Sequence, residues 1–165
     1  MAERRWVINA SPLILLGKVN LLDLLPRITS DLLIPPAVVE VVQGGLKDDP
    51  ARNWLSRATP FFMTTAPALH PTVAAWNLGK GETEVISYAV RSVEYTVIID
   101  DLAARNCALS MGVSTQGTLG VLLLLKKDGL LERVMPFVED LQSRGMRIDS
   151  SLVARIGMLA GEDVG

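Results

Sequence analysis

Cysteine and histidine are almost absent from this sequence: each occurs once among its 165 residues, as Cys107 and His70. A single cysteine excludes a disulfide within the chain and a cysteine-rich zinc site, and a single histidine excludes a metal site built from several imidazoles. A Ser-His-Asp triad would depend on His70 alone. The scarcity of cysteine is consistent with a reducing compartment, and we therefore expect a cytoplasmic protein.

Excess positive charge and long apolar runs are missing as well. The chain has 16 lysines and arginines against 18 aspartates and glutamates, which gives a net charge of −2 and no strongly basic field. A bound polyanion would have to be held by local side chains or by metal ions. The longest uncharged stretch, residues 58–79, contains Pro60, Pro67 and Pro71, which excludes one membrane-spanning helix there. We expect no membrane association.

The composition is that of a folded protein, because apolar residues make up 49 % of the chain and charged residues 21 %. The length fits one domain, which we place at 1–160, with a frayed tail over 161–165. The β-branched run 96–99 shows no polar alternation, as is typical of a parallel strand buried on both faces. Strand-like runs alternate with helical patterns, which predicts an α/β protein with a parallel, doubly wound sheet. Further strands are expected at 6–8, 32–34, 61–64 and 112–114.

Individual residues give local expectations. Ser11 followed by Pro12 predicts the N-cap and first residue of the first helix. Cys107 lies among alanines in a helical pattern and is expected to be a core thiol. Trp54 and Trp76 have two alternatives, stacking on nucleic-acid bases or packing in the core. Later helices are expected over 37–43, 82–93, 101–111, 132–144 and 150–160, and a turn followed by a helix is expected over 115–127.

Polar residues follow two of the expected strands, where an open parallel sheet binds its ligands. Asn9 follows the first strand, and Asp100 with Asp101 follows the strand at 96–99. Glu82 begins a helix, where the helix dipole favours it, and Asp101 is a good N-cap. Glu40 lies among valines and is either a solvent-facing helix residue or a ligand. Taken together, these oxygen donors suit Mg²⁺ or Mn²⁺.

Five segments match a known family in order and spacing. They are VINASPLI (7–14), IPPAVVEVV (34–42), GKGETEVI (79–86), IIDDLAAR (98–105) and GTLGVL (117–122). Over residues 6–130 the chain thereby resembles PIN-domain proteins of the DUF3368 branch, which is akin to the VapC-type toxins. The resemblance implies a PIN-like, three-layer α/β/α fold.

The resemblance also implies a ribonuclease that depends on one or two Mg²⁺ or Mn²⁺ ions. Such ions polarise a phosphoryl oxygen and lower the pKa of bound water. Carried over to this sequence, the catalytic acids are Glu40, Glu82 and Asp100. These three residues, together with Asn9 at the first-strand position and Asp101 as an alternative or additional ligand, are the expected metal ligands. The expected supporting hydroxyls are those of Ser11 and Thr118.

Asn9 departs from the usual PIN pattern, in which this position is an aspartate. The amide removes one negative charge, which leaves two possibilities: a weaker metal site that still cleaves RNA, or an inactive module that binds RNA or a protein. The implied partners are an RNA substrate, a small antitoxin protein that covers the acidic cleft, and a second copy in a homodimer. A flavodoxin-like or receiver-like domain is disfavoured because the first strand ends in Asn9-Ala10-Ser11.

Overall fold

The computed structural model describes residues 3–162. Four strands within that part of the chain form one sheet in the order β2-β1-β3-β4, and every pairing is parallel. The strands are β1 (Arg5–Ile8), β2 (Asp31–Leu33), β3 (Tyr95–Ile98) and β4 (Thr115–Gln116). The predicted α/β class and parallel sheet are therefore confirmed.

Helices connect and cover the strands. Proline at the first helical position starts several of them, because its missing N–H costs nothing there. The helices are α1 (Ala10–Lys18), α2 (Leu25–Ile28), α3 (Pro36–Gln43), α4 (Pro50–Leu55), α5 (Pro71–Ala74), α6 (Lys80–Arg91), α7 (Leu102–Ser110), α8 (Thr118–Lys127), α9 (Met135–Ser143) and α10 (Ser150–Leu159), with 3₁₀ turns at Leu22–Leu24 and Thr59–Phe61. No helix among the described residues is both long enough and apolar enough to cross a bilayer.

The central strands are buried on both faces. Trp6, Val7 and Ile8 are consecutive in β1, and each is at most 2 % exposed. Since alternate side chains of a strand point to opposite faces, helices must cover both sides of the sheet, which gives the three-layer α/β/α arrangement. Burying each large apolar side chain stabilises the fold by about 2 kcal/mol.

The parallel arrangement brings the ends of all strands to one edge. The backbone N–H of Asn9 donates to the carbonyl of Ile98 over 3.0 Å, and that of Ile99 donates to Gln116 over 2.9 Å. From β1 the chain crosses first to β2 on one side and later to β3 on the other. The gap between the ends of β1 and β3 is therefore the topological switch point, where open α/β sheets bind ligands.

Three local predictions were wrong. Helix α1 begins at Ala10, so Ser11 lies inside the helix instead of capping it. The last strand lies at Thr115–Gln116 rather than 112–114, because Gly112 adopts a left-handed turn (φ 73°) that delays pairing with β3. The run 61–64 forms one isolated parallel bridge, Ile34 to Phe62, in place of a strand.

The predicted tail over 161–165 includes Glu162, which the structure describes. Glu162 docks onto the body of the protein, because its carboxylate accepts hydrogen bonds from the backbone N–H groups of Val134 (2.7 Å) and Met135 (2.9 Å). Residues 163–165 of that prediction lie outside the described residues. The assignment of 1–160 to a single domain stays a prediction.

Candidate functional site

Asp100, two residues after the buried end of β3, is held by the start of α8. Its Oδ1 accepts from the backbone N–H of Thr118 over 2.8 Å, and its Oδ2 accepts from the Thr118 hydroxyl over 2.7 Å. Ser11 Oγ on α1 lies 3.4 Å from the same Oδ2. The positive end of the α8 dipole favours a carboxylate at this position. Asp100 thus has a fixed orientation at the switch point.

Asn9 is the first residue after β1, and it is only 4 % exposed. Its Oδ1 lies 3.1 Å from the point that a Cβ on Gly81 would occupy, so a glycine lets the start of α6 approach it closely. The Asn9 side chain makes no cap hydrogen bond with α1, and Asn9 lines a cleft at this edge. It therefore offers an amide oxygen at the cleft.

The cleft lies between α1, α3 and α6 and has a volume of about 340 Å³. Glu82 in the first turn of α6 lines it and is half-buried, and its carboxylate bends back against Gly79. The other lining residues combine an apolar wall with one cation; they are Ala10, Ser11, Ile14, Val41, Lys80 and Gly81.

Glu40 and Asp101 lie apart from this arrangement. Glu40 is exposed on α3, and its neighbour Val41, rather than Glu40 itself, lines the cleft. Asp101 is exposed, and its Oδ2 accepts from the backbone N–H of Ala104 over 2.9 Å as the N-cap of α7. No three His, Cys, Asp or Glu side chains among residues 3–162 form a metal-binding group. Five of the expected site residues lie at the same edge of the sheet, where β1 and β3 end. They are Asn9, Ser11, Glu82, Asp100 and Thr118.

Two residues near the site were missed by sequence reasoning. Glu84 is 2 % exposed, and its Oε1 accepts from the backbone N–H of Ala37 over 3.1 Å, which joins α6 to the start of α3. Its helical spacing from Gly81 places it on the same inward face, which is the sequence pattern that could have indicated it. Arg105 on α7 reaches back towards Asp100, as described below.

Several other candidates have structural explanations. His70 Nδ1 accepts from the backbone N–H of Thr72 over 3.2 Å and caps α5. Trp54 is buried, donates its Nε1–H to Asp23 over 3.1 Å and stacks on Phe61, so it is unavailable to a base. Trp76, by contrast, is 41 % exposed. Cys107 is a core thiol, as predicted, and burial raises its pKa.

These features define an α/β protein with an oxygen-rich edge at the switch point of a parallel sheet. The chain matches the family model of the DUF3368 PIN domain over residues 5–162 and therefore belongs to that family. Neither a curated protein nor a solved structure matched the chain in the corresponding comparisons.

Proposed function

We propose that the protein is a divalent-metal-dependent ribonuclease of the PIN type. Membership of the PIN family supports nuclease chemistry and RNA as the substrate. The observation that carries the proposal is the position of the Asp100 carboxylate, which lies at the switch point next to Ser11 while Asn9 lines the cleft beside Glu82. Oxygen donors from three distant chain segments thus meet at one edge.

The chemistry of these donors suits a hard cation. Carboxylate, amide and hydroxyl oxygens are the ligands that Mg²⁺ and Mn²⁺ prefer. Mg²⁺ usually keeps several waters and binds through one or two carboxylates together with substrate phosphates. This edge offers two carboxylates, from Glu82 and Asp100, and the amide oxygen of Asn9. That set is enough for such a site, although the described residues contain no group of three carboxylates.

The bound ion would supply Lewis-acid stabilisation and a water of lowered pKa. The chain's own residues fix the geometry. Thr118 holds both oxygens of Asp100, and Ser11 is placed to restrain the same carboxylate. Glu82 faces the cleft from the start of α6, where it can orient a water for in-line attack.

Glu40 and Asp101 take outer roles in this proposal. Glu40 is one residue from the cleft-lining Val41, and rotation of its exposed side chain towards the cleft would make it the third catalytic acid. Asp101 caps α7 with one oxygen and keeps the other for an additional contact with the ion or its waters.

A second candidate function is a PIN module that binds RNA or a protein without cleaving it. The neutral amide of Asn9 favours this alternative, because it lowers the negative charge available to a dication.

The deciding experiment is cleavage of single-stranded RNA by purified protein in Mn²⁺ and in EDTA. We expect cleavage in Mn²⁺ that EDTA abolishes and that Glu82→Gln reduces about 100-fold. Glu139→Gln, an exposed change on α9, is the matched control and should leave the rate unchanged. Equal activity in EDTA, or in Glu82→Gln, would contradict the ribonuclease and indicate contamination. RNA binding without cleavage would favour the second candidate.

Two partners extend the proposal. A VapC-like toxin would have a small antitoxin that covers the cleft, and co-purification from its native host should recover it.

A homodimer would use the apolar groove between α8 and α10, of about 530 Å³, which includes Leu123, Leu124 and Leu159. Light scattering that shows only monomer at micromolar concentrations would remove the dimer.

A further inference from the structure

The exposed Arg105 side chain on α7 and the Asp100 carboxylate both reach Gly117 at the start of α8. Its Nη1 is 3.3 Å from the point that a Cβ on Gly117 would occupy, and Asp100 Oδ1 is 3.0 Å from the same point. The absence of a side chain at residue 117 therefore leaves room for both groups at the start of α8.

The two groups nevertheless form no ion pair. The ion pairs among residues 3–162 involve other arginines and lysines. Asp100 accepts its hydrogen bonds from Thr118 rather than from Arg105, and Asp101 caps α7. The Arg105 guanidinium therefore keeps its charge and most of its donors available beside the carboxylate edge.

We propose that Arg105 binds a non-bridging oxygen of the RNA phosphodiester next to Asp100. The planar guanidinium presents paired donors that match a phosphate. A chain of net charge −2 attracts a polyanion only through local cations, and Arg105 supplies one at this edge of the sheet. This inference rests on the proposed function, because it takes RNA as the substrate.

The test is the affinity for a short fluorescein-labelled single-stranded RNA, measured by anisotropy in EDTA, where no metal-dependent cleavage occurs. Arg105→Ala should weaken binding about tenfold. It should also lower the slope of log affinity against log salt by about 0.7, the value for one lost phosphate contact. Arg105→Lys should give an intermediate affinity, since lysine keeps the positive charge but lacks the paired N–H donors of the guanidinium.

The matched control is Arg57→Ala, which removes an exposed arginine near the far end of α1. Helix α1 has nine residues, which places this control roughly 13 Å or more from the strand ends. Arg57→Ala should bind RNA as the unchanged protein does. Equal losses in Arg105→Ala and Arg57→Ala, or no RNA binding by the unchanged protein, would overturn the inference.

Failure of the inference and failure of the proposed function give different results. If RNA is cleaved in Mn²⁺ but Arg105→Ala leaves both KM and binding unchanged, Arg105 is not a substrate contact and the ribonuclease stands. If Arg105→Ala weakens binding but no variant cleaves RNA, the ribonuclease is contradicted and the phosphate contact remains.

Discussion

Asp100 and Glu162 are both carboxylates held at the N-terminus of a helix, but among the described residues only Glu162 takes part in ion pairs. Glu162 accepts from two backbone N–H groups and is paired with Lys126 at 3.0 Å and Arg133 at 3.6 Å. Asp100 has comparable donors from Thr118 but no ion pair among the described residues.

The difference separates a structural carboxylate from one that keeps its charge available. Burial alone would raise the pKa of Glu162, but the N–H groups of Val134 and Met135 and the Lys126 ammonium outweigh burial and lower it. The negative charge of Glu162 is thus neutralised within the fold. Asp100 is oriented by neutral donors, so its charge can still attract a cation.

The largest expected effect is a loss of RNA cleavage when the charge of Asp100 is removed. Asp100→Asn keeps one acceptor oxygen for the Thr118 backbone N–H, and its NH₂ group can donate to the Thr118 hydroxyl oxygen. The substitution removes the charge, so the rate of RNA cleavage in Mn²⁺ should fall about 100-fold or more. The free energy of unfolding should change by less than about 1 kcal/mol. Initial rates and urea unfolding measure the two quantities. A large loss of stability with an unchanged cleavage rate would mean that Asp100, like Glu162, only stabilises the fold.

The reciprocal change is Glu162→Gln. It leaves Lys126 and Arg133 without their carboxylate, and we expect a loss of about 2 kcal/mol in the free energy of unfolding. The cleavage rate per folded molecule should stay the same. Glu132→Gln, an exposed glutamate, is the control for urea unfolding. An unchanged stability would mean that solvent already screens these cations and that the contrast with Asp100 does not hold.

A smaller effect is expected from adding charge to the site. Asn9→Asp places a second carboxylate near Asp100 in a side chain of the same shape, so calorimetry should show about tenfold tighter Mn²⁺ binding. Asn53→Asp, an exposed residue on α4, is the control. Unchanged Mn²⁺ affinity and unchanged cleavage would mean that the first-strand position does not bind the ion.

The smallest effect concerns pH. The pKa of Glu162 is lowered in the folded protein, so between its folded value and the ordinary value of about 4.3 the unfolded chain binds more protons. Its stabilising contribution is complete above about pH 5 and is lost as pH falls through the lowered pKa. Urea unfolding from pH 7 to pH 3 should show the stability difference between the unchanged protein and Glu162→Gln shrinking below about pH 4. A constant difference would contradict the ionic origin of the contact.

Much of the fold was predictable because its patterns are local. Strand β3 follows from a β-branched run, α6 follows from helical periodicity, and the Asp101 cap follows from an aspartate before a helix. Strand β4 was misplaced because it has only two residues, whose pairing is fixed by Val97 and Ile98 on β3 rather than by their own pattern.

The candidate site was predictable in kind but not in detail. The predicted parallel sheet placed Asn9 and Asp100 at strand ends, and Glu82 was noted at a helix start. The family resemblance made these residues metal ligands and added Ser11 and Thr118. The contacts of Glu84 and Glu162 were not predictable, because their partners are 47 and 27 or 28 residues away in sequence. Neither contact leaves a periodic pattern in the chain.

The sequence by itself determined the parallel α/β class and the supply of oxygen donors after β1 and β3, since strand burial and helix periodicity depend on near neighbours. Only the tertiary structure decided which carboxylate meets cations within the fold and which stays available at the open edge. The reason is that electrostatic pairing depends on distances of a few ångströms between atoms from remote chain segments, and those distances exist only after folding.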